Sequence, residues 1–410
     1  MLGVPLALLL AASARVELVF GGDVIPHAPV KRAAQMHAKF DKPEPPAVPK
    51  SLNHCGWDHV FGPLAETFRS ADLAIVNLES PVSGDPKAKT GNMLFDAPRA
   101  LLDGLVGAGV DIATFANNHC LDQHRDGILA TRAAIEAAGL LSTGADVDEG
   151  KAWAPLVVEK NGIKIGFLAF TRYLNTFHNS PNPAAPQVPL VHYAADPLSG
   201  GLNEAQLLVR VKAAVAACDA LIIVPHWGEE YRPEPLRDDR RLALSLVSAG
   251  AIAVIGSHPH VLQPMQTVER EDGSEALVAF SLGNLVSNQD MSEPESATRE
   301  GLLLKLVLER AAPGGPVRIV RIDPLPVWTE NVLRAGELRN VQPTIVDDEL
   351  LAMRERLRTL DVREDPQSLA EKKALGRRLL QAQSRRERIL RVVPLELQRS
   401  PRVEGQLEQE

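Results

Sequence analysis

The chain has 410 residues, and 44 Lys and Arg against 52 Asp and Glu give it a formal net charge of −8. This acidic balance argues against a nucleic-acid-binding protein, which normally carries a basic excess. Apolar residues make up 45% of the chain and charged residues 23%, as in an ordinary globular protein with a large core. The sequence has no run that approaches the roughly 18 apolar residues of a membrane-spanning helix. Its three cysteines, Cys55, Cys120 and Cys218, include no C-x-x-C pair, which argues against a disulfide framework and a thiolate zinc site.

The N-terminus has the pattern of an export signal. Residues Leu2–Ala12 are apolar, and Ala12-Ser13-Ala14 has the small-x-small form of a cleavage site. The basic residues that normally precede such a run are missing from the sequence. We predict a signal peptide over residues 1–14 and an exported protein, periplasmic or extracellular. The alternative is a cytoplasmic protein in which this run is buried.

Short apolar runs recur along the chain and predict its strands. Most are rich in Val and Ile and apolar throughout, which is typical of strands buried on both faces of a sheet. The runs are Val16–Phe20, Leu73–Val76, Ile112–Phe115, Ile163–Phe170, Ala220–Val224, Ile252–Ile255, Leu277–Phe280 and Leu302–Leu308. Helical patterns lie between several of them, at Arg99–Gly109, Gly127–Gly139, Asn203–Ala217 and Arg237–Gly250. This alternation predicts an α/β fold.

Two Pro-rich segments interrupt the alternation. His27–Phe61 and Phe177–Gly201 show no long hydrophobic period, so we predict irregular excursions over the surface. Long loops beside a site often form lids or substrate walls. An unconstrained surface loop explains either segment equally well.

The composition changes from about Val346 onwards. Four apolar residues are spaced three and four apart, as in an amphipathic helix: Leu350, Met353, Leu357 and Leu360. A basic cluster follows at Arg385–Arg391. We predict a charged helical extension over residues 346–396 and a disordered tail over 397–410. The extension is either a cap on the core or a partner-binding helical pair, and its charge favours a solvated face.

Polar residues that bind metals or transfer protons directly follow several predicted strands. In open α/β sheets, ligands bind at the carboxyl ends of the strands. Six strand ends would therefore gather carboxylates, amides and imidazoles at one rim: Asp23; Asn77 and Glu79; Asn117, Asn118, His119 and Asp122; His226 and Glu229; His258 and His260; and Asn284. Such donors suit divalent Mn, Fe or Zn. Two ions about 3.5–4 Å apart would clamp a phosphoryl group, and we predict a site for one or two ions.

Each motif alone also has a structural explanation. Asp23 would serve as a turn or cap residue, and His226 as a packed core histidine. His258 and His260 are stronger candidates, because residues i and i+2 of an extended segment face the same way. Jointly, six such strand ends in order are difficult to explain by core packing.

The other histidines, His27, His54, His59 and His124, are assigned surface or structural roles. Among them His27, four residues after Asp23, is nearest in sequence to the predicted rim. The sequence has no P-loop, no G-x-G-x-x-G and no G-x-S-x-G, which argues against P-loop NTPases, nucleotide-dependent oxidoreductases and nucleophile-elbow serine hydrolases.

Longer motifs surround the candidate residues: Gly22-Asp23, Asn77-Leu78-Glu79-Ser80-Pro81, Ala116-Asn117-Asn118-His119-Cys120-Leu121-Asp122, His226-Trp227-Gly228-Glu229-Glu230-Tyr231, Gly256-Ser257-His258-Pro259-His260-Val261-Leu262-Gln263-Pro264 and Ser281-Leu282-Gly283-Asn284. In order and spacing the chain resembles the capsule and poly-γ-glutamate biosynthesis (CapA) family, which looks like a branch of the calcineurin-like metallophosphoesterases. The resemblance covers about Arg15 to Val327, and we predict a domain over residues 15–330. It implies a four-layer α/β/β/α sandwich, two sheets between helices, with the helical extension appended.

The resemblance also implies metal ligands. These are Asp23 and His260 for a first metal, Asn118, His226 and His258 for a second, and Glu79 where the superfamily usually has a bridging Asp. The superfamily commonly adds a His two residues after the first Asp, but Ile25 occupies that place here. The first metal is therefore one ligand short unless His27 compensates. The metal would be Mn, Fe, Zn or Mg.

By the same resemblance, His119 would protonate the leaving oxygen, with Asp122 as its partner. Four further polar residues are assigned to substrate binding: Asn77, Asn117, Glu229 and Asn284. The implied function is a metal-dependent, phosphoesterase-like hydrolase in which metal-bound hydroxide attacks an ester. The substrate would be a phosphoester or an anionic polymer. The alternatives are a non-catalytic exported protein that binds polymer within a synthesis complex, and a metal-dependent amide hydrolase or transferase.

Overall fold

The computed structural model describes residues 13–38, 56–91, 93–193, 200–289, 297–332, 340–360 and 366–398. The strands are β1 Ala14–Val24, β2 Leu73–Leu78, β3 Ile112–Phe115, β4 Leu141–Gly144, β5 Leu156–Lys160, β6 Ile163–Thr171, β7 Ala220–His226, β8 Ala253–Ile255, β9 Leu262–Glu269, β10 Glu275–Leu282, β11 Asn284–Val286, β12 Glu300–Arg310, β13 Val317–Val332 and β14 Asn340–Ile345. The helices are α1 Ala28–Ala38, α2 Trp57–Arg69, α3 Arg99–Ala108, α4 His124–Ala138, α5 Glu149–Ala152, α6 Glu204–Val215, α7 Arg237–Ser248, α8 Val346–Thr359 and α9 Pro366–Ile389. Most of the predicted signal peptide, His54, Cys55 and the predicted tail from residue 399 lie outside the described residues.

The strands form two sheets. The first has the order β14-β13-β12-β1-β2-β3-β4, with β11 also pairing with β1. The second has the order β5-β6-β7-β8-β10-β9. In the first sheet β1 to β4 are parallel, and in the second β6, β7, β8 and β10 are parallel. Antiparallel strands therefore extend the parallel part at one edge of the first sheet, where β12 to β14 are added, and at both edges of the second, where β5 and β9 are added.

Side chains alternate between the two faces of each sheet, and their packing shows that the two sheets and the helices outside them form four layers. Val16, Leu18 and Phe20 of β1 pack in one core cluster with Ile165 and Phe167 of β6, so this cluster lies between the two sheets. Residues on the opposite face of the first sheet pack against α1 to α4, and those on the opposite face of the second sheet pack against α6 and α7. The fold is the predicted α/β/β/α sandwich.

Seven of the eight apolar runs that predicted strands lie wholly in strands, Ile252–Ile255 begins one residue before β8, and the four predicted helices are present. Glycines end two of them: Gly109 after α3 and Gly139 after α4 have φ of 100° and 85°, a left-handed conformation that glycine adopts at little cost. A capping box between Asn203 and Gln206 begins α6.

The prediction of an irregular excursion over His27–Phe61 was wrong. The described part of this segment contains α1 and the start of α2. Val30, Trp57 and Phe61 are buried against the first sheet. Pro29 lies in the first turn of α1, where proline is tolerated because its missing N–H would have no intrahelical partner. The described part of Phe177–Gly201 contains no helix or strand, as predicted.

The C-terminal helices pack on the sandwich. Val346, Leu350 and Met353 of α8 and Ile389 of α9 belong to the core cluster between the sheets. Much of the predicted basic cluster faces inward: the Arg385 guanidinium lies 4.1 Å from the centre of the Trp328 ring. Arg386 and Arg388 form ion pairs with Asp347 and Glu300, respectively. The extension is thus a cap on the core. Among the described residues, no helix is both long and apolar enough to cross a bilayer.

A close backbone approach at Gly22 joins the end of β1 to the turn between β10 and β11. A Cβ atom added to Gly22 would lie 1.9 Å from the carbonyl oxygen of Gly283. We expect Gly22→Ala to lower the free energy of unfolding by about 1–3 kcal/mol, because the backbone of the turn must move. Denaturant unfolding measures the change.

The matched control is Gly62→Ala, at an exposed helical position where an added Cβ meets nothing within 4 Å. This control should stabilise the protein by about 0.5–1 kcal/mol. Equal stability of the two variants would show that the approach at Gly22 is not tight.

Candidate metal centre

The carboxyl ends of the central strands of both sheets bring the predicted residues together. Asp23 lies at the end of β1, Glu79 directly follows β2, and His226 ends β7. Asn77 lies within β2 and Glu229 follows β7, and the other site residues follow β3 and β8 or begin β11. All predicted residues except Glu229 are buried, with no more than 4% of the surface exposed: Asp23, Asn77, Glu79, Asn117, Asn118, His119, Asp122, His226, His258, His260 and Asn284.

Glu79 is the central residue of this cluster. Its Oε1 lies 3.7 Å from His260 Nε2, 3.8 Å from His226 Nε2 and 4.0 Å from His119 Nε2. Neither carboxylate oxygen has a hydrogen-bond partner. Burial and the nearby charge of Asp23 raise the pKa of Glu79 well above its usual range. A buried, unpartnered carboxylate facing three imidazoles is a good fit for a cation.

Donor atoms surround Glu79 in an arrangement that suits divalent ions. Two triads, Glu79 with His258 and His260, and Asp23 with Glu79 and His226, have donor atoms within 4.8 Å of one another. His226 Nε2 also lies 3.0 Å from His258 Nδ1 and 2.9 Å from Asn118 Oδ1. Donors that share one ion at its usual bond length are about 3 Å apart. The residues present therefore fit a metal centre in which Glu79 is shared.

The imidazoles are in the protonation state that binds metals. Burial lowers the pKa of His226 to about 3 and that of His258 well below its usual value, so both rings are neutral. His260 Nδ1 donates to Asn284 Oδ1 at 3.2 Å, which leaves its Nε2 free to face Glu79. Neutral imidazole with one free nitrogen is the ligating form of histidine.

Asp23 is ionised although it is fully buried. Burial alone would raise its pKa, but a hydrogen bond from His260 and the neighbouring charges and amide lower it to about 2. Asn77 Nδ2 donates to Asp23 Oδ1 at 2.7 Å, and the backbone N–H of His258 donates to Oδ2 at 3.2 Å. Asp23 thus differs from Glu79, which has no such donors.

The three buried asparagines assigned to substrate binding hold other site residues. Asn117 Nδ2 donates to Asn77 Oδ1 at 3.2 Å, and the Asn117 side-chain oxygen accepts from the backbone N–H of His119. Asn284 Nδ2 donates to Gln289 Oε1 and Thr298 O. These contacts account for orientation of the donors, and a substrate role for the three residues remains a prediction.

Glu229 lies apart from the cluster. Its side chain is exposed and pairs with Arg232 at 3.0 Å. The next residue, Glu230, is the one whose charge contributes to the raised pKa of Glu79. A role for Glu229 in binding substrate remains a prediction.

His119 and Asp122 form a separate pair beside the cluster. His119 Nδ1 donates to Asp122 Oδ2 at 2.7 Å, and that oxygen also accepts from the backbone N–H of Phe95 at 2.7 Å. The Phe95 ring packs on His119 with centroids 4.3 Å apart. The carboxylate therefore fixes the ring so that Nε2 faces Glu79.

The backbone at His258 and His260 differs from the predicted extended segment. Their φ angles are 103° and 58°, in the left-handed region that non-glycine residues rarely adopt. Both imidazoles do reach the cluster, but by this strained route. Such strain commonly occurs at functional sites, where the surrounding structure enforces it.

No ligand occurs at the position where the superfamily has a His after the first Asp. Ile25 is buried and apolar. His27 is in neither donor triad, and its Nδ1 accepts from the backbone N–H of Asn288 at 3.2 Å. Within the described chain, the set around Asp23 therefore has fewer donors than the set around His226.

Four residues that the sequence analysis did not single out also contact the site. Ser257 Oγ lies 2.9 Å from His226 Nδ1, and the Tyr173 ring packs edge-on against His258 at 4.6 Å. Asn175 and Phe95 contact Asn118 and His119, respectively. Ser257 adjoins the histidine motif, but the other three lie in irregular segments with no periodic pattern to mark them.

A known family matches the part of the chain that holds these residues. The family model described as bacterial capsule synthesis protein PGA_cap matches residues 17–289. The chain belongs to this family. The match contains every residue of the metal cluster, while β12 to β14 and the helices α8 and α9 lie beyond it.

Several proteins are similar to this PGA_cap family member. The PGA biosynthesis protein CapA of Bacillus subtilis is 25% identical over 307 residues, which cover 72% of this chain and 74% of that protein. The capsule biosynthesis protein CapA of Bacillus anthracis is 27% identical over 250 residues, which cover 59% of this chain and 57% of that protein. Among solved structures, the NAD nucleotidase NadN of Haemophilus influenzae aligns at 12% identity with a TM-score of 0.44, over 91% of this chain and 61% of that chain.

The unpartnered carboxylate of Glu79 leads to a prediction about stability. In chelator, Glu79→Gln should be at least as stable as the original protein at neutral pH, because it removes a buried carboxyl group whose ionised form has no hydrogen-bond donors. The raised pKa means that the metal-free protein loses stability as pH rises above the ordinary value of 4.5. The glutamine variant should lose less over the same range. Thermal unfolding at acidic and neutral pH tests both points.

Adding Mn²⁺ should reverse this order, because a ligand that binds only the folded state stabilises it. Glu229→Gln, the same change at an exposed site, should behave like the original protein in both conditions. If Mn²⁺ stabilises Glu79→Gln as strongly as the original protein, Glu79 is not a ligand.

Proposed function

We propose that this PGA_cap protein is a metal-dependent hydrolase of phosphoesters that acts in the biosynthesis of a capsule or poly-γ-glutamate polymer. The observation that carries the proposal is the buried carboxylate of Glu79, which faces the imidazoles of His226 and His260 without a hydrogen bond. A divalent ion at this site would polarise a phosphoryl oxygen and lower the pKa of a water molecule. The family and the names of the Bacillus proteins support a role in polymer biosynthesis.

The residues of the chain have separate tasks in this proposal. Asp23, Glu79 and His260 would hold one ion, and Glu79 with Asn118, His226 and His258 a second. Asn77 and Ser257 hold Asp23 and His226 in place through the contacts described above. The site around Asp23 has fewer donors, so we expect it to bind the weaker of two ions.

His119 would act as the general acid. Its Nδ1 proton is held by Asp122 at 2.7 Å, so the second ring nitrogen, which faces the cluster, is the one that can transfer a proton. As the ester bond breaks, the proton on Nε2 passes to the leaving oxygen. Phe95 limits movement of the ring through its tilted ring contact with His119 and through its backbone N–H bond to Asp122.

A second candidate is a non-catalytic accessory protein. The names of both Bacillus relatives refer to biosynthesis and not to hydrolysis. In this case the ions would hold an anionic polymer by its oxygens, within a polymer-synthesis complex. Export is part of either proposal and is supported by the apolar pattern of Leu2–Ala12; the mass of the mature N-terminus tests it.

Substitution of His119 tests the hydrolase proposal. His119→Gln should lower turnover of bis(p-nitrophenyl) phosphate or of an alkyl phosphodiester by about 10²–10⁴-fold, because the leaving oxygen loses its acid. The loss should be greater for the alkyl ester, whose leaving group needs the proton more. Bound metal, measured by elemental analysis, should not change.

His226→Ala is the companion variant and should lose metal as well as activity. Metal loss in His119→Gln would contradict its assignment as an acid. If the metal-loaded protein hydrolyses neither ester yet binds an anionic polymer in a metal-dependent manner, the accessory function replaces the hydrolase.

A further inference from the structure

The side-chain amide of Asn118 works as a ligand only in one orientation. Its Oδ1 lies 2.9 Å from His226 Nε2, among the donors of the cluster. A rotation of the amide by half a turn would put an NH₂ group in that place, and an NH₂ group cannot bind a cation. Some neighbouring group must therefore select the orientation.

Asn175 makes the contact that distinguishes the two ends of this amide. Asn118 Nδ2 donates to Asn175 Oδ1 at 3.0 Å. Asn118 lies almost fully buried, whereas Asn175 is exposed at the surface. Asn175 therefore reaches the site from outside, through the segment that follows β6.

Buried residues anchor the segment directly before Asn175. Arg172 is buried and pairs with Asp239 at 3.3 Å. Leu174 is buried in a cluster with Leu121, which is close in sequence to Asn118. Tyr173 packs against His258, so this one segment contacts two of the donors proposed for the same ion.

We propose that Asn175 is a positioning residue for the metal centre, and that its side-chain oxygen directs Asn118 Oδ1 towards the ion. This inference rests on the metal site of the proposed function. A positioning contact of this kind typically affects metal affinity by 10–100-fold. Asn175 itself is not a ligand.

The backbone at Asn175 allows a clean substitution. Its φ is 52°, a conformation that glycine adopts without strain. Asn175→Gly therefore removes the acceptor and leaves the backbone unstrained. Asn175→Asp keeps an acceptor and cannot donate. Asn161→Gly is the matched control, because Asn161 is also exposed with a φ of 50° and lies outside the site, in the β5–β6 turn.

The experiment measures Mn²⁺ affinity of the full chain by competition with a chelating dye. We expect Asn175→Gly to weaken binding at least about 10-fold, while Asn175→Asp and Asn161→Gly bind as the original protein does. Circular dichroism checks folding, and Asn175→Ala removes the acceptor by another change if the glycine variant does not fold.

A double variant separates positioning from a general structural effect. Asn118→Asp has an oxygen at both ends of the side chain, so its orientation no longer matters. Asn175→Gly should then have little effect on Mn²⁺ affinity in the Asn118→Asp background. An equal loss in both backgrounds would overturn the proposal, as would unchanged affinity in Asn175→Gly alone. Absence of Mn²⁺ binding by the original protein would instead contradict the metal site and, with it, the proposed function.

Discussion

The burial of Glu79 without a hydrogen-bond donor is the constraint on which the site depends. Removing a carboxylate from water costs several kcal/mol unless charges or donors replace the lost solvation. His226, which faces Glu79, and the neighbouring His258 are neutral, and the free nitrogen of a neutral imidazole is an acceptor that cannot provide that compensation. A cation between Glu79 and these nitrogens satisfies both at once, because each is a ligand and none is a donor.

The sandwich makes this arrangement possible because both sheets direct parallel strands to the same rim. Asp23 and Glu79 come from the first sheet, and His226 comes from the second. The inner core between the sheets fixes their separation, with Phe20 packed against Phe167 at 6.4 Å. Donors that are far apart in sequence are thus held by rigid strands. The same rigidity enforces the left-handed backbone at His258 and His260.

The sequence was sufficient to predict the parts of the structure that follow a simple period. Buried parallel strands are apolar throughout, so a polar residue directly after such a run, like Asp23 or Glu79, marks the strand end and the site together. The prediction of an irregular segment over His27–Phe61 failed because it was based on the proline content. The helices α1 and α2 are stabilised by packing against the first sheet, which the local composition does not indicate. Asn175 and Tyr173 carry no signal either, because their contacts depend on how an irregular segment is anchored. The sequence also does not show which of two adjacent glutamates faces the site: Glu229 was assigned to it, but its side chain is exposed and pairs with Arg232.

Hydrogen-bond donors give three buried carboxylates of the site, Asp23, Asp122 and Glu79, different roles. Asp23 receives donors from Asn77 and from the His258 backbone, and it stays ionised at a pKa of about 2. Asp122 receives the backbone N–H of Phe95 and the ring N–H of His119, so its charge orients an imidazole. Glu79 receives none, and its pKa is raised. The residue type is nearly the same in all three cases, so the environment decides which carboxylate most needs a cation. A hydrogen-bond donor placed beside Glu79 would lower the free-energy cost of burying its carboxylate, and the strongest argument for a metal at this rim would become weaker.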